Sequence, residues 1–281
     1  MPVSKTQIDR LGDRLKGSPH TESDLRLLDD YRRSFGEAYE AVVRTIRQRG
    51  EFPTGRLAKS TLSIVEKLRR ESIRLSQMQD IAGCRVVVRS IVEQEQFVAS
   101  LTADFPEASV IDRRDNSSYG YRAVHIIAEI SGKPIEIQVR SSLQHLWAEV
   151  SEKSSDVLDP TIKYGGGSES WRSFLTMSSE LVASYEAMEK KWFQFTTEWE
   201  VYLAAGEVLK KLDAEILAHH PTDHEVHEEL RDMLENEPRR LERAEKEDQE
   251  MREERVRQWN LIADVLSRAI SLLDKRKGQK Q

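Results

Sequence analysis

Pro134-Ile135-Glu136-Ile137-Gln138-Val139-Arg140 alternates apolar and polar side chains without a break. Successive side chains of a strand point to opposite faces, so Ile135, Ile137 and Val139 share one face and Glu136, Gln138 and Arg140 the other. Three aliphatics belong in a core, whereas a carboxylate, an amide and a guanidinium do not. Just upstream, Ser131-Gly132-Lys133 is a turn signal and Tyr121 to Ile130 is a second strand candidate, which predicts a hairpin. A two-residue loop would place Tyr121, His125 and Ile127 on the face of Glu136, Gln138 and Arg140; a three-residue loop would reverse this.

Working outward, Gly83-Cys84-Arg85-Val86-Val87-Val88 is a short β-branched run of the kind found in buried strands, and residues 91 to 103 read as a helix. Ser60 can cap a helix with apolar positions at Leu62, Ile64, Val65 and Leu68, after a break at Pro53-Thr54-Gly55. Ser141-Ser142 can cap another, marked by Leu143, Leu146, Trp147 and Val150. The first fifty residues read as two helices, with Leu25, Leu28, Tyr31, Phe35, Tyr39, Val42, Val43 and Ile46 at helical spacing in the second. Strand and helix stop alternating near Gly165-Gly166-Gly167 and the remainder is helical. Its last part, Pro238 to Lys275, is dense in Glu and Arg and predicts a long solvated helix suited to a protein contact. The chain therefore divides into a helical segment (1–52), a mixed α+β domain (53–165) and a helical region (166–281).

The chain has 281 residues, 33% of them charged, and a net charge of -6. That balance argues against a surface given over wholly to gripping nucleic acid. Residues 56 to 89 run the other way, with eight Lys or Arg against three acids, and suit an anionic ligand. Cys84 is the single cysteine, so there is no disulfide framework and no thiolate metal site; in a predicted buried strand it reads as a core residue. No apolar run of about 18 residues occurs, which with the cysteine usage predicts a cytoplasmic protein without a membrane span.

Asp80 stands just ahead of the strand at Arg85, where a carboxylate can lean over a sheet end, and Glu136 comes from a strand interior. Two carboxylates suffice for magnesium, which completes its octahedron with water and phosphate oxygens. Lys59, Lys67, Arg85 and Arg56 would neutralise a triphosphate, since phosphoryl transfer is mostly positioning and charge stabilisation. Taken singly, each has a plain reading as solvated helix face, edge-strand acid or helix-end acid. His145 and Glu149, four apart on one helix face, could pair with each other or with a metal.

Five ordered blocks together resemble the synthetase domain of RelA/SpoT homologues. They are Lys59 with Ser63-Ile64-Val65-Glu66-Lys67; Asp80-Ile81-Ala82-Gly83-Cys84-Arg85; Tyr119-Gly120-Tyr121-Arg122-Ala123-Val124-His125; Ile135 to Arg140; and Gln144-His145-Leu146-Trp147-Ala148-Glu149. The resemblance covers about residues 55 to 155. It implies a nucleotidyltransferase-like mixed β-sheet flanked by helices, with helical extensions at both ends, and a pyrophosphokinase that moves the β,γ-diphosphate of ATP to the ribose 3′-hydroxyl of GDP or GTP. By position it implies Asp80 as a magnesium ligand and Glu136 as a second ligand or as the base. It gives Arg56, Lys59, Ser63, Lys67 and Arg85 to the ATP side and Tyr121 to stacking on the acceptor base. His125, Gln138 and Arg140 would line the acceptor side, with His145 and Glu149 bracing it.

Two departures bear on these roles. The family pattern has an arginine two residues before Lys59, where this chain has Leu57, with Arg56 one place earlier. Ahead of the tyrosine, members that use guanine nucleotides have a lysine and then an asparagine; here the stretch is Arg113-Arg114-Asp115-Asn116-Ser117-Ser118-Tyr119. The resemblance therefore also admits tRNA 3′ ends or adenosine nucleotides as acceptors, as in toxic small relatives, or a non-catalytic nucleotide-binding regulator. His20 is the single histidine upstream, so the metal-dependent hydrolase half of longer members is not expected. The carboxyl-terminal helices would serve self-association, bind an antitoxin-like partner or cover the active site until a trigger is sensed. His219, His220, His224 and His227 cluster in sequence, but Pro221 breaks their helical register, favouring a loop over a metal site.

Overall fold

The computed structural model describes residues 4–115, 117–219 and 224–279, and within them the side chains outside 205–206, 209–210 and 212–239. Three helices come first: α1 (Lys5–Leu15), α2 (Glu22–Arg33) and α3 (Gly36–Gln48). The apolar spacing from Leu25 to Ile46 reads as one helix, but the chain breaks it. The Ser34 hydroxyl donates to the Tyr31 carbonyl (2.6 Å), ending α2, and the turn sinks Phe35 into the core.

The mixed region follows as β1 (Thr54–Arg56), α4 (Thr61–Arg70), β2 (Ala82–Val88), α5 (Ile91–Asp104), β3 (Ser109–Asp112), β4 (Val124–Ile130), β5 (Lys133–Ser141) and α6 (Ser142–Val157). The five strands make one mixed sheet in the order β1-β2-β5-β4-β3, with β2 and β5 parallel and the other pairs antiparallel. The expected α+β class, a mixed sheet flanked by helices with helical extensions at both ends, is what the chain adopts. Three local expectations change. Pro53-Thr54-Gly55, read as a break, runs into an edge strand at Thr54–Arg56; Ser109 to Asp112, not anticipated, closes the other edge; and the strand expected from Tyr121 begins at Val124.

The hairpin settles the face question. Ile130 pairs with Lys133, leaving Ser131 and Gly132 as a two-residue loop, both with positive φ (51° and 71°) as the right-handed twist of a hairpin demands. His125 then lies opposite Gln138 and Ile127 opposite Glu136. Ile135, Ile137 and Val139 are fully buried on the other face, in one core with Ile126, Cys84 and Val86. Helices α1 to α3 supply Ile8, Leu11, Leu28, Phe35 and Ile46 to that same core.

After a 3₁₀ turn at Ile162–Tyr164, two long helices complete the chain, α7 (Glu169–His219) and α8 (His224–Gly278). The solvated helix expected from Pro238 thus begins at His224. The chain forms two compact units, Met1–Ser179 and Glu180–Gln281. No helix among the described residues is long and apolar enough to cross a membrane. The side chains of the His219 to His227 cluster lie outside the described residues, and among the described ones no group of three or more His, Cys, Asp or Glu could hold a metal.

Candidate active site

Ser60 caps α4 by accepting from the Ser63 amide (3.2 Å), an interaction worth about 1 kcal/mol. This fixes the helix so that Ile64, Val65 and Leu68 enter the core while Ser63, Glu66, Lys67 and Arg70 face a cleft of about 540 Å³. Thr54, Gly55 and Arg56 of β1 form its edge. Its floor is Asp80 with Gly83, Cys84 and Arg85 of β2 and Glu136, Gln138 and Arg140 of β5. Glu152 of α6 and Lys163 and Tyr164 of the 3₁₀ turn close the far side.

Asp80 accepts from Lys59 and from Lys67, the latter at 3.0 Å. Burial works to raise its carboxyl, but the hydrogen bonds and charges of the two lysines outweigh it and hold Asp80 below the usual carboxylate range. Both ammonium groups also face the cleft, so they keep the acid ionised and present positive charge to a ligand.

Glu136 shows the same balance with other partners. Burial favours its neutral form, yet the His125 hydrogen bond and charge and a bond from Gln138 pull it below its ordinary value, while the charge of Asp80 pushes the other way. His125 Nδ1 lies 2.8 Å from Glu136 Oε1 and Gln138 Nε2 3.0 Å from Oε2. On its other side His125 Nε2 meets the Tyr121 hydroxyl at 2.9 Å, and Arg140 Nη2 donates to that hydroxyl and to Gln138 Oε1, each at 3.0 Å. The polar face of the hairpin is therefore one continuous network from Glu136 to Arg140.

Arg140 is only 2% exposed, and its Nε and Nη1 have no hydrogen-bond partner, nor has Arg85 Nε. Buried guanidinium donors without partners are costly, and an anion in the cleft would satisfy them. Burial and the charge of Arg140 pull Arg85 below its ordinary pKa, which records two cations crowded at one place. Glu152 meets both, 3.4 Å from Arg85 and 3.8 Å from Arg140.

The structure thus gathers Arg56, Lys59, Ser63, Lys67, Asp80, Arg85, Glu136, Gln138 and Arg140 around one cleft. Tyr121 and His125 stand behind it, bonded into its wall, with the Tyr121 ring edge-on to His125. His145 and Glu149 do not line it. Burial and the positive charges of Arg85 and Arg140 pull His145 below its ordinary pKa, and its Nδ1 has no partner. The acid of α6 that reaches the arginines is Glu152, one turn beyond Glu149. Sequence reasoning missed Arg70, Glu152, Lys163 and Tyr164. Arg70 and Glu152 were findable, each three residues past a chosen position on the same helix; the 3₁₀ turn carries no such signal.

Residues 55–155 match the family model described as "Region found in RelA / SpoT proteins". Over that stretch, a little over a third of its length, the chain is similar to this family. Among curated proteins it is 35% identical over 111 residues to uncharacterized proteins of Mycobacterium bovis and Mycobacterium tuberculosis, a match covering 38% of this chain. It spans about two fifths of those relatives' length, 41%. Among solved structures, the small alarmone synthetase 1 from Bacillus subtilis is similar at 25% identity, over 63% of this chain and 100% of that one, with a TM-score of 0.47. The same protein bound to its product pppGpp matches at 25% identity and a TM-score of 0.44, over 61% of this chain and 96% of that one. Bound to AMPCPP it matches at 24% and 0.43, over 63% and 100%.

Proposed function

We propose that this protein is an ATP-dependent pyrophosphokinase that transfers the β,γ-diphosphate of ATP to the ribose 3′-hydroxyl of GDP or GTP, making the alarmone (p)ppGpp and releasing AMP. The observation that carries the reading is the convergence, in one cleft, of two carboxylates held ionised, two lysines bonded to one of them, and two arginines with buried donors that lack partners. The match of residues 55–155 to the RelA/SpoT family model supports the same chemistry.

Asp80 and Glu136 face that one cleft and feel each other's charge. Two hard oxygen donors lining one cleft suit magnesium, which takes few protein carboxylates and fills its sphere with water and phosphate oxygens. When bound there, magnesium would neutralise charge on the phosphate oxygens. The protein's own part is positional. Lys59, Lys67 and Arg85 bind the triphosphate, and Arg140 draws the acceptor side toward the network. Ionised at neutral pH, Glu136 takes the proton of the 3′-hydroxyl as that oxygen bonds to the β-phosphorus and the bond to the α,β-bridging oxygen breaks. His125 and Gln138 hold both Glu136 oxygens in place. A proton acceptor of this kind contributes roughly 10²- to 10⁴-fold.

The test is transfer from ATP labelled on the γ-phosphate, with magnesium, to GDP, GTP, ATP and bulk tRNA offered separately. Label in a guanosine product is expected, with Glu136→Gln slower by about 10²-fold or more. Label in adenosine nucleotide or tRNA would replace the acceptor, and wild type indistinguishable from Glu136→Gln on every acceptor would overturn the enzyme reading.

A further inference from the structure

Arg70 faces the cleft one turn beyond Lys67 on α4, and on its other side it meets the 3₁₀ turn. Its Nη1 donates to the Tyr164 hydroxyl at 2.7 Å, and its guanidinium carbon sits 4.3 Å from the Tyr164 ring centroid. Lys163 Nζ lies 5.1 Å from the same centroid. We propose that Tyr164 is a positioning residue, holding Arg70 as a further cation for the donor's polyphosphate alongside Lys59 and Lys67. The inference rests on the proposed function only for the identity of that anion.

Arg70 also has acidic neighbours on its own segment. Glu71 already accepts from its Nη2 (2.9 Å), and Glu66 lies four residues before it, the favourable helical order for an acid–base pair. Glu71 thus already offsets part of the guanidinium's charge, and without the ring both acids would draw it back against the helix. A stacked ring and a neutral phenol oxygen hold it toward the cleft without cancelling any more of that charge. A phosphate that takes up the remaining donors makes charge-assisted bonds, about twice as strong as the neutral kind, with little ordering left to do.

Tyr164 is itself well seated, although 41% exposed. Ile162 is buried two residues before it, and the Lys163 amide donates to Ser155 Oγ of α6 at 3.0 Å. Gly165 follows with φ +83°, turning the chain back at once. A Cβ there would lie 2.3 Å from the Tyr119 ring, so the turn is pressed against the loop that leads to Tyr121. The ring that orients Arg70 is thus anchored to α6 below and to that loop beside it.

The experiment is a double-mutant cycle on the full chain, titrating inorganic tripolyphosphate and, separately, the non-hydrolysable ATP analogue AMPCPP, by calorimetry. Arg70→Ala and Tyr164→Ala should each weaken tripolyphosphate about tenfold, as expected for one charge-assisted bond. The double variant should be no weaker than Arg70→Ala, because Tyr164 acts through Arg70. Tyr164→Phe, which keeps the ring and the fold, should lose only a fewfold, and in turnover the effect should fall on the KM for ATP with kcat little changed. Additive losses, or Tyr164→Ala binding tripolyphosphate as well as wild type, would overturn the proposal, as would a wild type that binds neither probe. Binding that follows the cycle in a protein that transfers nothing would sustain this inference and defeat the proposed activity.

Discussion

The cleft and the last hundred residues are both crowded with charge, but they use it in opposite ways. In the cleft, Asp80, Glu136, Arg85 and Arg140 are largely buried, each perturbed or left with unmet donors, and they converge from two neighbouring strands far apart in sequence, β2 with the residues just before it and β5. Among the described residues of Glu180–Gln281, pairs such as Arg268 with Asp264, Arg257 with Glu254 and Lys246 with Glu250 lie along one helix and stay exposed. The chain's excess of acids also falls there, while residues 1–179 are near balance. Density of charge says little about function. Charge carried into a place where water cannot neutralise it says more, because only there does a ligand gain much by meeting it.

The sharpest way to break this contrast is Asp80→Asn. Removing the carboxylate frees Lys59 and Lys67, so metal-free tripolyphosphate should bind several-fold tighter, while transfer with magnesium should fall by roughly 10²-fold or more. The two readouts move in opposite directions. If both fell together, Asp80 would be a structural partner of the lysines, and the cleft would differ from the arm in burial alone.

A smaller effect separates buried from exposed charge within the arm itself. Glu189 is 4% exposed, accepts from the Tyr185 hydroxyl (3.1 Å) and lies 3.4 Å from Arg255, whose guanidinium carbon is 4.1 Å from the Trp192 centroid. Glu189→Ala should cost about 1–3 kcal/mol, because it strands the buried Tyr185 hydroxyl and the part-buried Arg255 guanidinium. Arg268→Ala, at an exposed pair on the same unit, should cost under about 0.5 kcal/mol. Chemical denaturation of the two variants beside wild type measures both. Equal costs would mean that the arm has no specific interior.

How much of this could be read from the chain alone follows from the period of each signal. The alternation at Ile135 to Arg140 was legible because a strand buried on one face has a strict period of two, and one short turn then fixed which side chains joined Glu136. β3 was not legible, since Ser109 to Asp112 is a mostly exposed edge strand with no alternation to read. β1 hid behind Pro53 and Gly55, which signal turns. The split of the first helices depended on Ser34 taking the Tyr31 carbonyl, a local competition that apolar spacing does not register. In the site, residues on β5 were found by face and those on α4 by charge and resemblance, whereas Tyr164 enters from a turn whose place depends on packing against Ser155 and Tyr119.

The smallest effect tests an ion pair that lies between the two cases. Arg49, just after α3, grips Asp104 at the end of α5, with both partners about one-third exposed. The hydrogen bond from Arg49 leads in holding the Asp104 carboxyl below its ordinary 3.8. A carboxyl lowered on folding stabilises the folded state at pH above its unfolded value, and that contribution fades as pH falls through the folded one. Asp104→Asn should therefore be slightly less stable than wild type at neutral pH, and the gap should close in acid below the ordinary value. Thermal melts of the two proteins from pH 7 to pH 3 measure it. A gap that persists unchanged in acid would mean that Asp104 contributes through packing or its neutral hydrogen bonds, and that this half-exposed pair behaves like those of the arm.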